Sequence, residues 1–356
     1  MRHSWIACTF FFTMAVGCTR NKNVQAPQAA AITAPAPQVP ASTVQVNELA
    51  ASTALPALVT KVVTVSQQGK PVAALRPNAF HLEENGQPID NQAIDLRLLP
   101  LDDVIGFHTI LLVDLSASMT QEGLSTLALS ANRFVQALRT RQSVTVLGFD
   151  GTTHLRFVGE FARNAKGETP VIAESRFTPA SDPSRDLRGA VLEALSRLDG
   201  RLKQSARPIR VGTLVVFSLG PDMANRTSES VLDERLSKTK DNIYFVGIQS
   251  EANGAVAQTL ARNGKALSAD LSHLPEAFAD VTSLVVANMN SHYVLSYCSL
   301  ARSGKPNVRV KVDIVNDELE TATGALESQY NAAGFSKGCN AARLPPLSAF
   351  RATAKN

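Results

Sequence analysis

The sequence predicts an α/β fold: a doubly wound, mostly parallel sheet with a smaller β-sandwich-like domain built from the segments that flank it. Between residues 106 and 289, short apolar runs alternate with amphipathic helical patterns. Strands that alternate with helices favour parallel pairing through right-handed crossovers. On either side, β-rich runs separated by turn residues replace the helical periodicity, and neither flanking segment is long enough to bury a core alone.

Composition narrows the class of protein further. The chain has 356 residues, of which 44% are hydrophobic and 19% are charged, and this suits one large domain with a smaller one. The net charge of +4 is small for this length, and no lysine and arginine run is interleaved with aromatic residues. Nucleic acid is therefore not an expected partner. The six histidines lack the spacing of a zinc site.

The N-terminus has the form of an export signal. A short basic segment precedes an apolar run, and Ala15-Val16-Gly17-Cys18 resembles a bacterial lipobox. The resemblance implies a signal peptide over residues 1–17 and acylation of Cys18, with palmitate among the expected groups, so that a lipid would anchor the chain to a membrane. Ala15 stands where leucine is usual. Secretion with a later cleavage site, or a short N-terminal anchor or apolar helix, remains an alternative.

The residues from Cys18 onward predict the cellular location of the protein and a linker before the folded part. Thr19, rather than aspartate, comes after the expected lipidated cysteine. We therefore expect the cell envelope, and the outer membrane if the host is Gram-negative. Residues 18–57 are rich in alanine, proline, glutamine, serine and threonine, and their X-Pro pairs favour extended chain. They predict a solvated linker.

The four cysteines fall into two pairs by position. Cleavage would remove Cys8 and acylation would use Cys18, which leaves Cys298 and Cys339. Disulfides persist outside the cytosol, so we expect these two to be bridged. Closing a loop of about forty residues stabilises by roughly 3–4 kcal/mol in the chain-entropy model. The alternative is two unrelated buried thiols.

The two flanking segments predict strands. Residues 58–105 contain β-rich runs at 59–65 and 80–83, an Asn-Gly hairpin turn, and a run that alternates from Ile94 to Leu98. Residues 290–340 contain two more such runs, at 293–297 and 308–315. We predict that the two segments pair into one sandwich, with residues 106–289 inserted between them and residues 341–356 left as a tail.

The central segment contributes strands and helices in turn. The expected strands are apolar runs bounded by turns, at Phe107–Val113, Ser143–Phe149, Val211–Phe217 and Asn242–Ile248. The expected helices carry apolar residues on one face, within 124–138, 187–198, 231–236, 255–262 and 274–287. Residues 153–158 follow an Asp-Gly turn and alternate like an antiparallel edge strand.

The first central strand ends in Asp114-Leu115-Ser116-Ala117-Ser118, directly before a helix. Open α/β sheets bind ligands beyond the carboxyl ends of strands and beside helix N-termini. In this context the pattern Asp-x-Ser-x-Ser resembles the metal-ion-dependent adhesion site of von Willebrand factor type A domains, over residues 107–288. The resemblance implies that Asp114, Ser116 and Ser118 hold Mg²⁺ or a similar ion. It also implies binding of another protein or a surface polymer.

Two further pieces of the family pattern differ in this chain. Arg185 stands where a threonine is expected, and Leu219 stands where an aspartate is expected. Asp222, three residues later, is the remaining acidic candidate. Losing a carboxylate and gaining a guanidinium makes a poorer site for a dication. The alternative is a metal-free site, in which Asp114 pairs with Arg185 or the motif only caps the helix.

Motifs of enzyme chemistry are missing from the sequence. It contains no Gly-x-Ser-x-Gly elbow, no His-Glu-x-x-His and no phosphate-binding glycine loop. We therefore expect a binding protein rather than an enzyme. The competing class is a metal-independent scaffold that holds an assembly together at the cell envelope.

Overall fold

Three sheets and five helices make up the described part of the chain, which in this computed structural model comprises residues 44–164, 171–180, 182, 184–315 and 321–352. The strands are β1 (Val44–Ala54), β2 (Leu58–Gln67), β3 (Lys70–Pro71), β4 (Phe80–Glu84), β5 (Gln87–Ile89), β6 (Arg97–Leu99), β7 (Ile105–Asp114), β8 (Ser143–Phe149), β9 (Arg156–Phe161), β10 (Ile209–Ser218), β11 (Asn242–Ile248), β12 (Gly264–Ser268), β13 (His292–Cys298), β14 (Asn307–Val315), β15 (Thr321–Gln329) and β16 (Arg351–Ala352). The helices are α1 (Gln121–Leu138), α2 (Leu187–Gln204), α3 (Glu229–Lys238), α4 (Glu251–Leu260) and α5 (Leu274–Asn290).

The central sheet has the strand order β12-β11-β10-β7-β8-β9. Every neighbouring pair is parallel except β8 and β9, which form the antiparallel edge. Helices α1 and α5 pack on one face of the sheet, and α2, α3 and α4 pack on the other. The predicted doubly wound fold is confirmed.

The run Ile110–Val113 within strand β7 is apolar without alternation, and its packing explains why. Ile110 and Leu112 lie in the core under α2, whereas Leu111 and Val113 lie in the core under α1. A central parallel strand is buried on both faces, so every position favours an apolar side chain. The first polar residue of the run, Asp114, therefore marks the end of the strand.

The flanking segments form a two-sheet sandwich. One sheet has the order β16-β1-β2-β13-β6, with β3 beside β2, and the other has the order β15-β14-β4-β5. Strand β2 pairs with β13, and β4 pairs with β14, so each sheet joins residues from before and after the central segment. Side chains such as Leu82, Leu295 and Val310 fill one shared core. The prediction that the sandwich is built from both flanking segments is confirmed.

The structure differs from the predicted linker and tail. Residues from Val44 onward form β1, which pairs with β2 along its whole length, because alternating side chains such as Val46 reach the sandwich core. Near the other end, β16 pairs with β1 and Phe350 is buried. The signal peptide, Cys18 and the rest of the linker lie outside the described residues. No helix in the described ranges is long and apolar enough to cross a membrane.

The expected disulfide between Cys298 and Cys339 is present, with its Cα atoms 5.7 Å apart. It ties the end of β13 to the loop that follows β15. That loop also carries Phe335, whose ring stacks on Tyr330 with 5.9 Å between centroids. The bridge thus fixes a segment that completes the sandwich core.

We predict that replacing both cysteines with serine lowers the free energy of unfolding by about 4 kcal/mol, because the bridge closes a separation of 41 residues in the unfolded chain. Urea denaturation of the wild type and of C298S/C339S measures the difference. Dithiothreitol should lower the stability of the wild type and leave that of the variant unchanged. Equal stability of the two proteins would contradict the prediction.

Candidate functional site

The candidate site lies where the strand order of the central sheet reverses. Strand β7 leads to β8 on one side, and the chain returns to β10 on the other side. Because β7 and β10 are parallel with Val113 opposite Phe217, Asp114 and Ser218 end their strands side by side. Helices α1 and α2 both begin near this edge. Ligands of open α/β sheets bind at such a switch point.

Asp114 is fully buried, and backbone groups satisfy its carboxylate. Its Oδ1 accepts a hydrogen bond from the Ser116 N–H at 2.9 Å, and its Oδ2 accepts one from the Leu219 N–H at 3.0 Å. The Ser218 hydroxyl lies 3.3 Å from the same Oδ2. The aspartate therefore joins the turn after β7 to the turn after β10.

The two motif serines lie together beside this carboxylate. The Oγ atoms of Ser116 and Ser118 are 2.9 Å apart. Ser116 is buried, whereas Ser118 is exposed and its Oγ accepts a hydrogen bond from Arg185 Nη1 at 3.1 Å. The structure thus brings all three predicted motif residues into one cluster, and a guanidinium joins them.

Arg185 is only 8% exposed and occupies the centre of the site. Its Nε lies 3.8 Å from Asp114 Oδ2 and 3.4 Å from the carbonyl oxygen of Pro221. Its Nη2 contacts the sulfur of Met223 at 2.9 Å. A Cβ on Gly220 would lie 2.9 Å from that same nitrogen, so glycine leaves room for the guanidinium.

The backbone of Arg185 holds the loop after β10 as well. Its carbonyl oxygen accepts hydrogen bonds from the N–H groups of Met223 and Ala224, at 2.8 and 2.9 Å. Met223 is left 54% exposed on a fixed backbone. One residue therefore positions both the charge inside the site and an apolar side chain at its rim.

Asp222 and Leu219 have other roles in this structure. Asp222 accepts hydrogen bonds from the Arg188 N–H at 2.9 Å and from the Asn225 N–H at 2.8 Å, so both its oxygens bind loop and helix backbone. The Leu219 side chain packs against the core under α1. The loop is further held by Asn253, whose Nδ2 donates to the carbonyl oxygen of Leu219 at 3.2 Å.

Asp186 forms the N-cap of α2. Its Oδ1 accepts a hydrogen bond from the Gly189 N–H at 3.2 Å. This gives an acceptor to one of the N–H groups in the first turn that have no partner within the helix. Burial raises the pKa of this carboxyl, and the Gly189 hydrogen bond opposes that effect. Its own N–H donates to the carbonyl oxygen of Asp150 at 2.8 Å, so the cap also fixes the loop after β8.

The residues present do not fit Mg²⁺ or a similar ion. Such ions need several oxygen ligands with negative charge among them. Here the single carboxylate of Asp114 binds two backbone N–H groups, and a fixed positive charge lies 3.8 Å from it. Within the described ranges, no three or more histidine, cysteine, aspartate or glutamate side chains are grouped to hold a metal. The geometry favours the metal-free alternative.

Comparisons with known proteins give only distant matches. No family model and no curated protein matches the chain. Among solved structures, proximal thread matrix protein 1 from the mussel byssus has a TM-score of 0.41 at 13% identity, over 53% of this chain and 49% of that one. The chain therefore spans about half the length of that protein.

Two further solved structures are similar at the same level. A von Willebrand factor type A protein from Catenulispora acidiphila has a TM-score of 0.39 at 11% identity, over 84% of this chain and 76% of that one. The manganese-loaded TRAP protein of Plasmodium vivax has a TM-score of 0.36 at 11% identity, over 67% and 97%. Structural similarity at these TM-scores does not indicate a function, and the geometry of the site is the basis for proposing one.

We predict that Arg185→Ala lowers the free energy of unfolding by about 3–5 kcal/mol, because it leaves a buried carboxylate without its countercharge. Combining it with Asp114→Asn should cost less than the sum of the two single changes, since the pair is then removed together. Urea denaturation of the four proteins measures the coupling. Arg309→Ala, at an exposed ion pair, serves as the control and should cost under about 1 kcal/mol. Strict additivity would contradict the pairing.

Proposed function

We propose that this chain is a metal-independent binding module of the von Willebrand factor type A kind, which captures another protein at the carboxyl end of its central sheet. The observation that carries the proposal is the guanidinium of Arg185, which lies against Asp114 and Ser118 where the adhesion motif would use an ion. In place of a metal, this positive charge neutralises the buried acid and fixes the surrounding loops.

The rim of the site supports a protein partner. Met223 presents an exposed apolar side chain, and the exposed residue Ser118 contacts the same guanidinium. Methionine is enriched in protein interfaces because its flexible, polarizable side chain adapts to irregular surfaces. Because Arg185 already holds the Met223 backbone, binding a partner would cost little conformational entropy in this loop.

The proposal also assigns the protein to the cell envelope, anchored by a lipid on Cys18 and exposed beyond a short linker. Its support is the lipobox-like sequence before Cys18 and the proline-rich composition that follows. The disulfide between Cys298 and Cys339 agrees with an oxidising compartment.

Metal independence has a direct test. Added Mg²⁺ or Mn²⁺ should leave the thermal unfolding midpoint of the wild type unchanged, and partner capture from an envelope extract should persist in EDTA. In R185T/L219D, which removes the guanidinium and adds a carboxylate, Mn²⁺ should raise the midpoint, because ions that bind only the folded state stabilise it. R185T/L219N is the uncharged control. Stabilisation of the wild type by Mg²⁺ that is lost in Asp114→Ala would overturn the proposal.

The lipid anchor is tested by Cys18→Ser. We expect the variant to leave the membrane fraction for the soluble fraction of the host, because acylation requires the cysteine thiol. Fractionation followed by immunoblotting measures this, with Cys8→Ser as the matched control that should remain in the membrane. Retention of the Cys18 variant would show that another segment holds the protein.

A further inference from the structure

A second cleft lies at the opposite end of the central sheet, where its strands begin. It has a volume of about 500 Å³. One wall consists of the residues that start or precede β10, β11 and β12, and the other is formed by the β2–β3 turn and the start of β13. It therefore lies between the central sheet and the sandwich, away from Asp114.

Three cations line this cleft side by side. Arg210 lies at the start of β10, Lys240 precedes β11 and Arg262 precedes β12, and all three side chains are exposed. The parallel register, with Thr213 opposite Asn242, brings these positions to the same edge of adjacent strands. Neighbouring strands are about 4.8 Å apart. The register places Lys240 one residue and Arg262 three residues further along the strands than Arg210, so the cations form a staggered row on one wall of the cleft.

None of the three cations is ion-paired within the described part of the chain. Arg210 and Arg262 donate only long hydrogen bonds, each of 3.4 Å, to backbone carbonyl oxygens. The cleft has two acids, and both are engaged elsewhere. Glu48 binds the buried Lys61 at 2.7 Å, and Asp241 accepts a 2.7 Å hydrogen bond from the Thr239 hydroxyl. Burial raises the pKa of Asp241, and the hydrogen bond from Thr239 opposes that effect.

The floor of the cleft is polar and preorganised. Asn263 Nδ2 donates to Asn242 Oδ1 at 3.1 Å, and Asn242 Nδ2 lies 3.2 Å from Asn288 Oδ1. Chained amides hold each other in place, and Asn263 at one end of the chain is exposed to solvent. The two aromatic rings in the lining, those of Tyr244 and His292, are 1% and 6% exposed, so they offer little surface on which a nucleic acid base can stack.

We propose that this cleft binds an anionic polysaccharide, with Arg210, Lys240 and Arg262 pairing with successive anionic groups and the asparagine row contacting sugar hydroxyls. Arginine pairs with carboxylates and phosphates through two parallel hydrogen bonds, so either group suits the row. The site is independent of the protein-binding face at the other end of the sheet.

The test is calorimetric titration of the full chain with oligogalacturonate, which carries carboxylates, and with phosphomannan, which carries phosphates. Methyl-esterified oligogalacturonate and mannan are the uncharged counterparts. We expect binding of at least one charged glycan, weakened by added NaCl, and no binding of its uncharged counterpart. The charged glycan that binds identifies the anionic group.

The row itself is tested with R210Q/K240Q/R262Q, which should bind about tenfold or more weakly with an unchanged unfolding midpoint. K305Q/K337Q/R343Q removes the same charge from exposed sandwich and loop positions and should bind like the wild type. Equal weakening in both variants would overturn the proposal, because it would show only a non-specific effect of net charge. Failure of both charged glycans to bind, or binding only to phosphatidylglycerol vesicles, would overturn it as well.

Discussion

The buried carboxylate of Asp114 sets the requirement that the rest of the site meets. An ionised group with no exposure needs hydrogen bonds and an opposite charge close by. Two backbone N–H groups supply the hydrogen bonds, and Arg185 supplies the charge. Because these partners come from the turn after β7, the turn after β10 and the start of α2, satisfying one charge holds three loops in place.

That arrangement changes what the site can do. A metal ion in such a position would exchange with solvent and accept an oxygen ligand from a partner, whereas a guanidinium is covalently part of the chain and always charged. Most of its donors already face Ser118, Pro221 and Met223. The charge therefore serves to rigidify the loops, and under the proposed function affinity for a partner comes from the surface that these loops present.

The fold could be predicted from the sequence to a large extent because its main signals are local. Apolar runs such as Phe107–Val113 and helical faces such as 187–198 identify the alternating elements without knowledge of their partners. The strand β1 was missed because its alanines and threonines resemble linker composition, and only pairing with β2 explains its order. Motif spacing identified Asp114, Ser116, Ser118 and Arg185.

The contacts of that motif could not be predicted, because they are made across the chain. The roles of Asp222 and Met223 depend on how the loop after β10 folds around Arg185, and the contact from Asn253 depends on where α4 packs. Each of these three residues lies more than thirty positions from its partner in the sequence. No local pattern indicates such a pairing.

Charged side chains have different partners at the two ends of the central sheet, and this difference supports the proposed polysaccharide site. At the carboxyl end, each buried charge has a partner within the chain. At the amino end, Arg210, Lys240 and Arg262 lie along one cleft, and within the described residues no acid forms an ion pair with any of them, although like charges repel. The proposed anionic ligand, by pairing with all three, would relieve this repulsion and give the cations a common role.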